Sequence, residues 1–137
     1  MRLVLDTNIL LSALLIRGTP PGRLYELWRE RRFELATCER QLHELNQVSR
    51  RPFFRARLRP HEVGTMINEI RRLAMMCDPL PLVKRSPDPD DDYLLALAEA
   101  AKAKYLVTGD RSDLLSLQHH QGTQILTART VVEKIDR

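Results

Sequence analysis

Three acidic residues stand where an apolar run ends or begins. Asp6 follows Leu3-Val4-Leu5, Asp110 follows Leu106-Val107-Thr108-Gly109, and Asp92 closes the acid-rich stretch Ser86-Pro87-Asp88-Pro89-Asp90-Asp91-Asp92 at the head of a helical pattern. A fourth, Glu44, lies within Gln41-Leu42-His43-Glu44-Leu45. Carboxylates gathered in one cleft raise one another's pKa and resist joint ionisation, and a hard divalent cation removes that penalty. Mg²⁺ or Mn²⁺, one ion or two, held by a few carboxylates and a substrate phosphate, is the make-up of a phosphodiesterase. Each acid also has a plainer use. An Asp after a strand forms turns, and Asp88, Asp90 and Asp91 solvate and cap a helix entrance, although Asp91 is close enough to assist a site. Asp113 serves equally as a helix cap or as a support for the ligands, a lone helical Glu such as Glu44 is most often a surface group, and Asn8 either hydrogen-bonds a ligating carboxylate or caps the first helix.

The elements that must position these groups follow from periodicity. Leu3-Val4-Leu5 reads as a buried strand, and Ile9, Leu10, Ala13 and Leu14 recur at helical spacing behind it. Thr19-Pro20-Pro21 starts a second helix with Leu24, Leu27 and Trp28 on one face, and Phe33 to Ala36 forms the next strand. Thr37 is expected to cap a third helix that carries Glu44 and stops near Arg51-Pro52. After a helical hairpin, Pro60 opens a helix whose stripe Val63, Met66, Ile67, Ile70, Leu73 and Ala74 runs to about Met76, and Pro79 to Val83 is extended at best. Leu94, Leu95, Leu97, Ala98 and Ala101 give the helix behind Asp92 a broad buried side. Lys104 to Thr108 is a strand, Leu114, Leu115 and Leu117 mark a short helix, and Gln124 to Leu126 is the last strand. Thr127 then caps a terminal helix with Val131, Val132 and Ile135.

Strands alternating with helices predict an α/β domain over residues 1–137, with right-handed crossovers and a mostly parallel sheet of four or five strands covered on both faces. Ligands bind such sheets at the carboxyl ends of the strands. Asp6, Asp92 and Asp110 all fall at that rim, and Glu44 reaches it if its helix leans inward.

Bulk properties narrow the classes. With 43% hydrophobic and 29% charged residues in 137, the chain is neither disordered nor fibrous. A formal charge of +4 tolerates a polyanionic partner. Cys38 and Cys77 are isolated, which argues against a disulfide framework or structural zinc and for a reducing cytoplasm. An acid interrupts the opening apolar run as early as Asp6, unlike a signal peptide, and no run is long enough to span a bilayer, so no membrane role is expected.

In order and spacing these segments resemble the PIN-domain ribonucleases. Leu3-Val4-Leu5-Asp6-Thr7-Asn8 is similar to the opening motif, Glu44 to the second acid, and Arg50-Arg51-Pro52-Phe53 to the RPxF segment of a bacterial toxin-like branch; Asp92 and Asp110 match the third and fourth acids. The resemblance implies a three-layer α/β/α fold and Mg²⁺- or Mn²⁺-dependent endonucleolytic cleavage of RNA. Asp6, Glu44, Asp92 and Asp110 would hold the metal and its water, with Asn8 and Thr108 orienting them. It further implies homodimerisation and, for VapC-like toxins, inhibition by a small antitoxin protein. Cys38 stands where that branch usually has Ser, which puts local capping or a substrate contact in question.

Arginines are abundant between positions 29 and 72, and Arg50, Arg51 and Arg111 are the candidates for RNA phosphate contact. A solvated face or an acidic partner's docking surface explains them equally well. His43, His61, His119 and His120 lack a ligand pattern, and His43 is expected to point away from its neighbour Glu44. With 5% aromatics, base stacking is expected to be sparse. An Asp-based phosphatase is a rival, weakened by Asn8 where a D-x-D motif needs a second Asp. A catalytically silent RNA- or protein-binding module is another, weakened by the retention of all four acids. Neither a P-loop nor a dinucleotide fingerprint is present.

Overall fold

A computed structural model describes residues 1–109 and 113–136. The predicted first strand is β1 (Arg2–Leu5), with α1 (Thr7–Leu15) and α2 (Pro20–Arg29) behind it. Thr19 caps α2 by accepting a hydrogen bond from Gly22 N. Next come β2 (Glu34–Thr37), α3 (Glu39–Val48), the short α4 (Pro52–Arg55) and α5 (Pro60–Leu73). The remainder is β3 (Met75–Met76), a 3₁₀ turn at Pro89–Asp91, α6 (Asp92–Ala101), β4 (Tyr105–Val107), α7 (Leu114–Leu117), β5 (His119–His120), β6 (Thr123–Leu126) and α8 (Ala128–Ile135).

Among the described residues the strands form one sheet of six in the order β3-β2-β1-β4-β6-β5, parallel except for β5 against β6. Two strands exceed the sequence reading. The stripe of α5 ends at Leu73, and Met75–Met76 pair with Ala36 and Thr37 instead of continuing the helix. His119–His120 turn back onto β6, a pairing too short for any periodicity to signal. Thr37 is also not the cap of α3, because it is still part of the sheet: its carbonyl accepts from Cys77 N and its hydroxyl donates to Gln41. Cys38 holds the cap position without a side-chain bond, and Asp78, from the far side of β3, supplies the acceptor for Glu39 N.

Alternation along the central strands divides the core into two layers. Leu3, Leu5, Leu35, Tyr105 and Val107 face one cluster with the apolar sides of α1, α2, α3, α5 and α8. Val4, Ala36, Leu106 and Ile125 face the other, filled chiefly by Leu94, Leu95, Leu97 and Ala98 of α6. The result is a three-layer α/β/α arrangement. No helix among the described residues is long and apolar enough to cross a membrane.

The thin α6 layer concentrates its burial in few side chains, so truncation there should be severe. Leu95, 0% exposed, packs in that layer, and Leu95→Ala should cost about 2–5 kcal/mol in urea denaturation. A loss under about 1 kcal/mol would show that the layer is not tightly packed.

Candidate active site

The strand order reverses at β1: β2 lies on one side, reached through α1 and α2, while β4 lies on the other, reached through α6. Such a switch point opens a crevice at the carboxyl edge of the sheet. Asp6 leaves β1 there with its backbone N–H still bonded to Val107 O of β4, at 2.9 Å. Thr108, one residue beyond β4, donates its hydroxyl to Asp6 Oδ2 at 2.8 Å. Strand pairing thus fixes the carboxylate from below.

Asp6 is only 9% exposed. Burial pushes its carboxyl above the usual range, and the nearby Glu44 charge adds to the rise; the Thr108 hydroxyl and the backbone amides of Asn8 and Thr7 oppose it. Glu44, half-buried on α3, accepts a short hydrogen bond from the Tyr93 hydroxyl, which also meets Thr7 Oγ1 at 3.3 Å. Desolvation and the Glu44 carboxylate push the Tyr93 phenol up, so it remains a donor at neutral pH. One oxygen of Glu44 is thereby committed to α6.

A cleft of about 740 Å³ opens above these groups. It is lined by Asp6, Asn8 and Glu44, by Asp88, Asp90 and Asp91 of the 3₁₀ turn, and by Gly109. Asp88, Asp91 and Asp113 form a second acidic group whose carboxylate oxygens lie within 4.8 Å of one another. Asp88 accepts from Asp90 N, an arrangement that shapes the turn, and Asp113 precedes α7 without a side-chain cap bond. A divalent cation suits this donor set. The donor atoms of these acids are carboxylate oxygens, as hard ions prefer, and ionised Asp6 in its desolvated position beside Glu44 would be favoured by a counter-charge.

The structure brings together Asp6, Glu44, Asn8, Thr108 and Asp91, but not Asp92. Asp92 lines a neighbouring groove, and its Oδ1 accepts the backbone N–H groups of Arg85 and Ser86 at 2.9 and 2.7 Å. The two acids straddle the start of α6, where successive residues diverge by about 100°. Asp91, at the cap position, faces the cleft, while Asp92 fastens the preceding loop. Asp110 and Arg111 lie outside the described residues. Arg51 lines the acidic cleft, whereas Arg50 lines a different depression beside Pro60 and Val63.

His43 lines the cleft too, contrary to the expectation that it would point away from Glu44. Arg40, His43, Glu44 and Gln47 all border it, a spacing of three, four and seven that puts them on one side of α3. Arg40 was missed in the sequence although that spacing from Glu44 marks it. Its guanidinium sits 4.7 Å from the Tyr93 ring centroid and reaches Asp90 O at 3.5 Å.

A family model of the PIN domain matches residues 2–112. This chain belongs to the PIN-domain family, a nuclease fold whose members are generally nucleases and typically bind divalent metals. No curated protein matches it.

The raised Asp6 pKa has a consequence for stability. The folded protein binds a proton at Asp6 that the unfolded chain has already released, over the interval from the ordinary value near 3.8 up to the raised folded value. Stability contributed through this group is therefore present below that interval and is lost as pH rises through it. In chelator at pH 7, Asp6→Asn should melt at a higher temperature than wild type, and the gap should close as pH falls toward 3.8. Thermal unfolding followed by circular dichroism checks this; a variant that melts lower at neutral pH contradicts the burial penalty.

Proposed function

We propose that this protein is a metal-dependent endoribonuclease and the toxin member of a toxin–antitoxin pair. The observation that carries the nuclease reading is the desolvated Asp6 carboxylate, held by Thr108 and placed beside Glu44 in an acidic cleft at the switch point of a PIN fold. Asp6, Glu44 and Asp91 would hold Mg²⁺ or Mn²⁺, together with Asp110, which follows the cleft residue Gly109 in sequence. An ion held there would supply a water of lowered pKa and charge to offset that on the phosphate. Thr108 fixes the orientation of Asp6, and Tyr93 fixes that of Glu44. Arg51 and Arg40, at the cleft wall, are placed to meet the phosphate chain.

The toxin assignment, with an inhibitory antitoxin protein, a homodimer and a cytoplasmic setting, is supported by the Arg50-Arg51-Pro52-Phe53 segment and by the order of the acidic motifs. One PIN-like unit over residues 1–137 is part of the same reading.

Purified full-length protein should cut single-stranded RNA in Mn²⁺ or Mg²⁺ and stop on addition of chelator. Asp6→Asn and Asp91→Asn should each lose more than about a hundredfold in rate without unfolding. Equal cleavage by wild type and Asp6→Asn would identify a contaminating enzyme and sink the reading. Binding of RNA without product under both metals would favour a silent binding module.

Tyr93→Phe keeps the ring beneath Arg40 and removes only the donor to Glu44. It should weaken Mn²⁺ binding, read by electron paramagnetic resonance, by about ten- to a hundredfold. Unchanged binding would show that Glu44 needs no fixing by α6.

A further inference from the structure

A second groove, of about 680 Å³, lies beside the acidic cleft, and the two share a wall made by Arg40. Its lining is largely apolar, with Leu80, Val83, Tyr93 and Ala96 among the contributors. Leu82 stands at its rim 86% exposed, a large apolar side chain with little packing of its own. The charge is opposite in character to that of the cleft. Arg40, Lys84 and Arg85 border it, and the carboxylate that lines it among the described residues, Asp92, is already bonded to two backbone N–H groups. Arg85 is tied by its guanidinium to His119 O and the His120 ring, whereas Lys84 is exposed and Arg40, held over Tyr93 with one long bond to Asp90 O, lines both hollows.

An apolar lining edged with cations suits a ligand that alternates flat, weakly polar rings with anions. Single-stranded nucleic acid has that chemistry. Among the described residues the acidic cleft sets five carboxylates against Arg40 and Arg51, so a phosphate chain leaving it gains from further cations next door. Arg40, stacked on Tyr93 between the two hollows, marks the crossing point.

We propose that this groove binds the nucleotide of the RNA strand that flanks the bond to be cut, with its base over Leu82 and Val83 and its phosphate between Arg40 and Lys84. The inference rests on the ribonuclease reading for its substrate class. Its binding step is separable from cleavage.

The test is fluorescence anisotropy of the full chain in chelator with a 5′-labelled single-stranded RNA of about a dozen nucleotides, a length near one single-strand binding site. Leu82→Asp and Lys84→Glu are compared with wild type. Both side chains are exposed, so neither variant threatens folding. Each should weaken binding about tenfold, and Lys84→Ala should lower the slope of log affinity against log salt by about 0.7. RNA carrying a single 4-thiouridine should crosslink to the peptide containing residues 80–86 from one side of the strand only.

Binding within about twofold of wild type in both variants, or crosslinks confined to the acidic cleft, would overturn the inference while leaving the nuclease reading intact. So would absence of binding by wild type up to roughly 100 µM, the weak end of non-specific affinity. Loss of a dimer in Leu82→Asp, with RNA affinity unchanged, would assign the groove to a second copy of the chain and equally overturn it. RNA held at this groove by a protein that cuts nothing in Mg²⁺ or Mn²⁺ would support the groove and sink the nuclease reading.

Discussion

The site depends on one carboxylate that the sheet holds out of water. Asp6 is bound through its backbone to Val107 and through its side chain to Thr108, so two central strands position one functional group. Neither bond involves a long flexible side chain, and little conformational freedom remains to be lost when a ligand arrives. The same burial that makes Asp6 well placed makes its ionised form unfavourable. Structural stability and the proposed cation-binding role therefore oppose each other at this residue, a common arrangement where function needs a strained or charged site.

Around that fixed point the other acids come from elements with different freedoms. Glu44 sits on a ten-residue helix whose start is capped by a distant Asp78, and its carboxylate is fixed by Tyr93 from the opposite layer. Asp88 and Asp91 belong to a 3₁₀ turn joined to α6. Arg40 links these parts, covering Tyr93 and reaching Asp90 O. α3, the turn and α6 are thus connected by contacts among Arg40, Glu44 and Tyr93 that a change at any one of them disturbs.

The layered fold was legible because its signals are strong. Alternating short apolar runs and helical stripes placed β1, β2, β4, β6 and the major helices, and Pro20, Pro52 and Pro60 all fall at the first helical position. Two-residue strands carry no period, so β3 and β5 were not legible. Asp6, Thr108 and Glu44 could be read from their places relative to strand and helix. Which of Asp91 and Asp92 lines the cleft could not be read, since a run of three acids gives no helical phase and the partners of Asp92, the N–H groups of Arg85 and Ser86, come from a loop without pattern. Thr37 was misread for a similar reason: its composition suits a cap, but a long-range bond from Cys77 keeps it in the sheet.

The two outermost strands, β3 and β5, are each only two residues long. Exposed strand edges invite annealing by foreign β-segments, and margins this brief offer almost no ladder to extend. A second copy or a small protein docking here would therefore have to grip helical flanks or loops, because β-augmentation lacks a template on either side.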